Sequence, residues 1–303
     1  MRNGRRSKAR LAMVAVATSA LSMVALSGVA PAAESAGGKI NKYRVMTWNS
    51  HGQDWSNPEM IAGVIKELKP QVIALQETCL NDVAEAQKIL KSQKLAYYIS
   101  YGPNVPNYAC GHGPLNHGMA ILSAAEVTEE RNVEYPYDEG PTEKRGYQML
   151  TTTIADKKVR VFNTHLTASE KGGTDDWLRN DQAKRLAREA GRHDRALVLG
   201  DFNAEPWSAY GKNRPMRHMF NAGFKDADRD CRPAKRKAEE APSNHHTSAE
   251  PDGACLATLV NNEANPPAIR KFDYILLRGL TNKNIQLHTS HPTDHRIFVT
   301  DVK

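Results

Sequence analysis

Leu199-Gly200-Asp201-Phe202-Asn203 is the stretch on which the reading of this chain turns. The residues leading into it, Ala196-Leu197-Val198-Leu199, are all apolar and read as a short buried strand. The glycine interrupts the run, and an aspartate and an asparagine follow at its tip. The same design recurs along the chain. Thr47-Trp48-Asn49 closes an apolar run at 43–48, Ala74-Leu75-Gln76-Glu77 closes one at 72–76, and Phe162-Asn163-Thr164-His165 closes one at 159–164. Phe272-Asp273-Tyr274 and Thr293-Asp294-His295 complete the series near the C-terminus. Active sites in α/β folds gather at strand ends, where a rigid sheet aims polar side chains into a crevice. Asp294-His295 precedes its run, 296–302, as an antiparallel neighbour must if its residues are to reach the same rim.

Further strands are expected at 96–101, 118–123, 148–154 and 272–277. Helices are expected at 58–69, 82–91 and 176–191. The first helix sets Ile61, Val64, Ile65 and Leu68 on one face, with Asn57 as N-cap, Pro58 at its first position and Pro70 after its end. The alternation of apolar runs with amphipathic segments implies one α/β domain over 42–303. The polar, charged stretch 228–265 contains Cys231 and Cys255 and reads as a surface excursion rather than a second domain.

A carboxylate after a strand is, taken singly, more often a helix cap or a solvated loop residue. Four carboxylates, two asparagines and two histidines at such tips call for a common reason, and a hard-metal phosphate site supplies one. Magnesium takes oxygen ligands and keeps several waters, so one or two carboxylates suffice. Asparagine orients a water or a phosphate oxygen without adding charge. Histidine moves protons, or as imidazolium offsets charge developing on phosphoryl oxygens.

These motifs resemble the endonuclease/exonuclease/phosphatase superfamily, which includes DNase I, the abasic-site endonucleases and the inositol polyphosphate 5-phosphatases. The resemblance runs from Tyr43 to Lys303, and its most specific marks are Gly200-Asp201-Phe202-Asn203 and Asp294-His295. It implies a DNase I-like fold, a four-layered α/β/β/α sandwich with the site at one rim. It also implies residue roles. Glu77 resembles the main metal ligand, Asn49 helps to hold the ion or its water, and Asp294 adds a second ligand. Asp201 and Asn203 resemble the pair that handles the attacking water. Asp273 resembles the carboxylate that orients His295. His165 matches the histidine of DNase I, where the abasic-site enzymes carry tyrosine, and Arg145 matches a phosphate-binding arginine. The alternative for Lys144 and Arg145 is a solvated loop pair. Which histidine serves the water and which the leaving group stays open. The implied cofactor is Mg2+, with Mn2+ or Ca2+ as substitutes.

Departures narrow the substrate. His51 stands where abasic-site enzymes carry a metal-binding aspartate, and Lys271-Phe272-Asp273-Tyr274 lacks the inositol-phosphatase context. Other features carry two readings: the helix with Trp177, Arg179, Lys184, Arg185 and Arg188 and the run Lys235-Arg236-Lys237 either touch a nucleic-acid backbone or are solvated surface, His112 and His117 either line the cleft or are loop histidines, and the pair His245-His246 reads as solvated rather than as a zinc site.

The chain opens with Arg2, Arg5, Arg6, Lys8 and Arg10, then an apolar run from Leu11 to Ala30, then Ala30-Pro31-Ala32. That order reads as a secretory signal peptide over 1–32 followed by a flexible leader over 33–41, with a retained anchor as the alternative. The full chain carries 41 basic and 34 acidic residues. Removing the five basic residues of 1–32 leaves 36 against 34, a net of +2, so bulk charge lends no support to nucleic-acid binding. Four cysteines in an exported chain imply two disulfides. Of three connectivities, Cys79–Cys110 with Cys231–Cys255 is favoured because each pair closes a short loop-rich stretch. By resemblance, a disulfide between the Asp201 and Asp273 motifs matches secreted DNase I. The expectation is a secreted, monomeric, metal-dependent nuclease acting on DNA or RNA without stable membrane association. The alternatives are a lipid or inositol phosphohydrolase, and a toxin-like binding module with a vestigial site.

Overall fold

Residues alternate in and out along a strand, and here that period sorts each buried strand between two cores. In chain order the computed structural model contains β1 (Asn41–Asn49), α1 (Pro58–Leu68), β2 (Pro70–Cys79), α2 (Leu80–Ser92), β3 (Tyr98–Val105), β4 (His117–Ser123), β5 (Thr128–Glu134), β6 (Gly146–Ile154) and β7 (Lys157–His165). There follow α3 (Asp175–Ala190), β8 (Ala196–Asp201), α4 (Pro215–Asn221), β9 (Lys225–Asp226), β10 (Leu259–Asn261), β11 (Ala268–Arg270), β12 (Asp273–Arg278), β13 (Asn282–His288) and β14 (Ile297–Val302). The structure describes residues 39–52, 55–105, 110, 117–136, 145–168, 175–206, 215–231, 255–261, 268–289 and 293–303. The expected signal peptide, all of the leader but its last residues, Lys144, His112, Lys235-Arg236-Lys237 and His245-His246 lie outside them.

Two six-stranded mixed sheets form, in the orders β13-β14-β1-β2-β4-β3 and β5-β6-β7-β8-β12-β9. Val45, Val72 and Ala74 of the first sheet share one core with Leu150, Val161, Leu197 and Leu199 of the second. Their neighbours along the same strands face outward. Met46, Trp48, Ile73 and Leu75 pack under α1 and α2, while Phe162, Val198 and Tyr274 pack under α3 and α4. Helices therefore cover both outer faces, giving the four layers α/β/β/α. The helix α1 is capped as expected: Asn57 accepts from the Met60 amide at 2.9 Å, and Lys69 ends the helix in the left-handed region at φ 47°.

The sequence pattern passes over β5, β13 and α4. Strand β5 is exposed along nearly its whole length, and among the described residues it pairs only with β6 at a sheet edge. Strand β13 is likewise an edge strand, with no buried residue along Asn282–His288. Edge strands need no apolar alternation, so their sequences carry little signal. Strand β1 starts at Asn41, one residue before the expected domain start, where the Asn41 side chain bonds to Asp301. Both favoured disulfides, Cys79–Cys110 and Cys231–Cys255, are formed. The excursion after Asp228 is more structured than expected, since β10 and β11 form a small antiparallel sheet.

A buried cation anchors that excursion. Lys271, 1% exposed, places its Nζ 3.2 Å from Asp226 and 3.0 Å from Asp228, and Asp228 also accepts from the Leu256 amide. Burial raises the Asp226 carboxyl to about 6, with Lys271 opposing. A carboxyl raised on folding takes up a proton, so its contribution favours folding at pH 4 and declines as pH rises through 6. Asp226→Asn removes that dependence. In urea titrations the stability of the variant relative to the native chain should rise by on the order of 2 kcal/mol from pH 4 to pH 7. A pH-independent difference would mean that Asp226 is ionised throughout.

Candidate functional site

Pairing register brings the motifs together. On the second sheet His165 of β7 lies opposite Asp201 of β8, and Asp201 lies opposite Asp273 of β12. Three chemical side chains thus sit side by side on adjacent strands. On the first sheet Asn49 pairs with Gln76, and Glu77 follows at an irregularity in the β2–β4 ladder with φ 47°. A bulge of this kind turns a side chain out of the strict alternation. His51 and Asn203 also sit at positive φ, 42° and 45°. Such backbone is sparsely populated by residues other than glycine, and three instances around one cleft mark a constrained site. Gly200 has φ 145°, and a Cβ there would strike the Thr164 carbonyl, so only glycine lets β8 run against β7 at the rim.

Side-chain contacts tie the two sheets' rims into one cluster. Asn49 Nδ2 donates to Glu77 Oε1 at 2.8 Å and to Asp201 Oδ2 at 3.0 Å. His165 Nε2 lies 3.5 Å from Glu77 and 3.6 Å from Asp201. The Asn203 amide N–H donates to Asp201 Oδ1 at 2.8 Å, and its side-chain nitrogen stands 3.1 Å from His165 Nε2. His295 Nδ1 sits 2.7 Å from Asp273 Oδ2, and its Nε2 sits 3.7 Å from Asp201. Arg145, only 5% exposed, places Nη1 at 2.6 and 2.8 Å from the two ring nitrogens of His165. The solvated-loop alternative for Arg145 therefore fails. Asp294 lies 3.6 Å from His51, and Glu77 lies 3.9 Å from the same imidazole nitrogen. All nine expected residues, Asn49, Glu77, Arg145, His165, Asp201, Asn203, Asp273, Asp294 and His295, stand in this one cluster.

The electrostatics separate the two histidines. Burial and the Arg145 guanidinium hold His165 well below the usual imidazole range, so it is neutral. Burial alone would lower His295 too, but the carboxylates of Asp273 and Asp201 overcome it and raise the group to about 10. Burial and the neighbouring Asp273 charge raise Asp201 to about 7, against the pull of His295. Environments that push like groups apart are how one fold holds an acid and a base together. Asp294, which burial would raise, is held below the usual carboxylate range by His51 and His295.

Three features outside the expected set belong to the cluster. Thr258, at the end of the excursion, accepts from the Phe272 and Asp273 amides at 3.0 and 2.9 Å, and Val260 donates to the Asp294 carbonyl. His51 faces two carboxylates. His117, buried at the start of β4, is lowered by burial, with Glu77, Arg145 and His51 as its charged neighbours. Its place opposite Cys79 in the ladder is a long-range pairing that a turn-flanking histidine does not advertise.

The donor set fits a hard divalent ion on the first-sheet side. Glu77 keeps Oε2 clear of its bond to Asn49, and Asp294 Oδ1 is buried without a hydrogen bond among the described residues. The ligand atoms of Glu77, His165 and Asp201 also lie within 4.8 Å of one another, but the adjacent Arg145 cation disfavours an ion at His165.

Residues 46–295 match the profile of the Endonuclease/Exonuclease/phosphatase family, and the chain belongs to that family. The fold agrees with its DNase I-like sandwich. Similar solved structures include an endonuclease/exonuclease/phosphatase from Beutenbergia cavernae (TM-score 0.63, 17% identity, 86% of this chain and 71% of that one). D. rerio TDP2 complexed with single strand DNA product is another (0.60, 15%, 86% and 98%). A third is the 3' phosphatase NExo from Neisseria bound to product DNA hairpin (0.57, 15%, 86% and 99%). No curated protein sequence matches the chain significantly.

The buried Asp273–His295 pair gives a stability test independent of activity. Each of Asp273→Ala and His295→Ala leaves a buried charged partner behind, whereas the double variant removes both. Denaturation in EDTA should give a coupling on the order of 2 kcal/mol across the cycle. Additive effects would show that the two groups do not form an ion pair.

Proposed function

We propose that the chain is an exported phosphodiesterase that depends on a divalent metal and hydrolyses DNA, with RNA open to the same chemistry. The observation that carries this reading is the division of the rim. Glu77 and Asp294 turn carboxylate oxygens toward His51 on one side, and cationic His295 with Arg145 stands on the other. A phosphodiester needs both: anionic donors for a metal, and fixed cations for its own charge.

When bound, Mg2+, or Mn2+ or Ca2+ in its place, polarises a phosphoryl oxygen. Arg145 holds another oxygen, kept in place by its packing against His165. Asp201, close to neutral in pKa and oriented by Asn49 and Asn203, accepts the proton of the attacking water. The new bond joins that water oxygen to phosphorus, and the ester P–O bond opposite it breaks. His295, held as imidazolium by Asp273, gives its proton to the leaving oxygen. Asp201 and His295 stand 3.7 Å apart, close enough to restore both protonation states after release.

Support for nucleic acid comes from two sides. The similar TDP2 and NExo structures hold DNA. Two tryptophans are also exposed near the rim, Trp55 at 37% and Trp177 at 48%, and nucleobases stack on such rings. Trp177 lies in the first turn of α3, which is docked beside the site by Arg179 and Gln182 bonding to Thr167, two residues beyond His165. Export rests on the N-terminal pattern and is in keeping with the two disulfides. Among the described residues no helix is long and apolar enough to cross a membrane.

Incubation of the chain from residue 33 with Mg2+ and supercoiled plasmid should give nicking that EDTA abolishes. Glu77→Ala, His165→Ala and His295→Ala should each lower the rate by at least about 100-fold with the fold intact by circular dichroism. Phosphate release from sphingomyelin or phosphoinositides without plasmid nicking would contradict the nuclease reading.

A further inference from the structure

The Asp273–His295 pair crosses from one sheet to the other. Asp273 opens β12 of the second sheet, and His295 stands two residues before β14 of the first. Strands of different sheets share no ladder, so pairing register does not set the distance between these two side chains. The turn carrying His295 is tied to its own sheet by Thr293, which accepts from the Trp48 indole at 3.1 Å and donates to the His295 carbonyl at 2.7 Å. Its tie to the second sheet runs through residues 257–260, at the end of the excursion. Thr258 is fully buried there. Its hydroxyl oxygen accepts from the Phe272 and Asp273 amides at 3.0 and 2.9 Å, and its own amide donates to the Arg270 carbonyl at 2.9 Å. Its carbonyl accepts from the Arg296 amide at 2.6 Å. Beside it Leu259 bridges to His295, and the Val260 amide donates to the Asp294 carbonyl at 2.7 Å. One residue thus grips the backbone on both sides of the pair. The bracket is itself anchored, because the Leu256 amide donates to Asp228 and Cys255 is joined to Cys231. Two successive amides on one buried hydroxyl fix direction as well as distance, since a slip would leave a polar group unpaired.

We infer that Thr258 is a positioning residue for the leaving-group proton: it sets the Asp273 strand against the His295 turn, so that the imidazole meets Asp273 through Nδ1 and presents Nε2 to the leaving oxygen. The inference rests on the reading of His295 as the acid of the proposed hydrolysis. As the ester P–O bond breaks, its electron pair stays on the leaving oxygen, which takes the Nε2 proton. An alcohol leaving group needs that proton, whereas a nitrophenolate is stable as the anion and does not. Misplacement by about 1 Å costs such a transfer up to about 100-fold.

Thr258→Val keeps the shape of the side chain and removes the acceptor, while Thr258→Ser keeps the acceptor. With Mg2+ and the chain from residue 33, kcat on a DNA oligonucleotide should fall about 10- to 100-fold in Thr258→Val with KM within about threefold, and kcat on bis(p-nitrophenyl) phosphate should fall less than about threefold. Thr258→Ser should stay near native on both substrates. His295→Ala should show the same division between them. Urea denaturation in EDTA gives a readout free of activity: the coupling between Asp273 and His295 should drop to about half or less in the Thr258→Val background. Where Thr258→Val fails to fold, Thr258→Ala carries both measurements. Equal effects on the two substrates, or an unchanged coupling, would overturn the role of Thr258, and the acid reading would stand as long as His295→Ala still divides the substrates. Equal slowing of both substrates in His295→Ala, or no hydrolysis by the native chain, would overturn both.

Discussion

The two sheets are locked together beneath the rim by buried amides. Apolar packing joins the sheets through most of their depth, but toward the site it gives way to side chains that bond across the gap. Gln76 of β2 donates to Asn163 of β7 at 2.7 Å, and Asn163 donates in turn to the Leu75 and Ala120 carbonyls of the first sheet. Gln148 of β6 accepts from Asn163 and reaches Ser100 of β3. Asn49 finishes the series by dividing its two protons between Glu77 and Asp201. All four amide residues are fully buried. Apolar packing tolerates small slips between sheets. A directional bond in a low-dielectric interior does not, because each broken partner leaves an unpaired polar group. The relative position of Glu77 and Asp201 is set by this network.

From that constraint the electrostatics follow. Register puts His165, Asp201 and Asp273 on neighbouring strands, too close for all to carry charge independently. The result is a neutral His165 beside Arg145 and a cationic His295 between Asp273 and Asp201. Neutral and cationic imidazoles stand within one cleft because burial and a guanidinium hold His165 neutral, while at His295 the carboxylates of Asp273 and Asp201 outweigh burial. The strain at His51, Glu77 and Asn203 belongs to the same economy of space, since ordinary strand geometry would point these side chains elsewhere.

Much of this was legible in the sequence. Apolar runs bounded by polar tips located the central strands and with them all of the expected set but Arg145, which the family resemblance supplied. The favoured cysteine pairing needed only the short intervals between partners. What the sequence hid depends on neighbours distant in the chain. Edge strands β5 and β13 carry no alternation because, among the described residues, one side has no partner strand. Thr258 is an unremarked threonine until the excursion brings it under Asp273. His117 reads as a loop histidine until the β2–β4 ladder buries it. His51 read as a missing aspartate, because a motif compares residue types and not the direction in which a ring faces. Arg145 reads as a loop cation until its burial against His165 is seen.

On the proposed function, this rim brings a divalent ion and a phosphate together in one place. Diffraction from crystals soaked with Mn2+ and inorganic phosphate, recorded at the manganese absorption edge, tests it most directly. An anomalous peak is expected at ligand distance, about 2.0–2.3 Å, from Glu77, with the phosphate between that ion and Arg145. Manganese bound only away from Glu77, or phosphate seated away from Arg145 and His295, would contradict it.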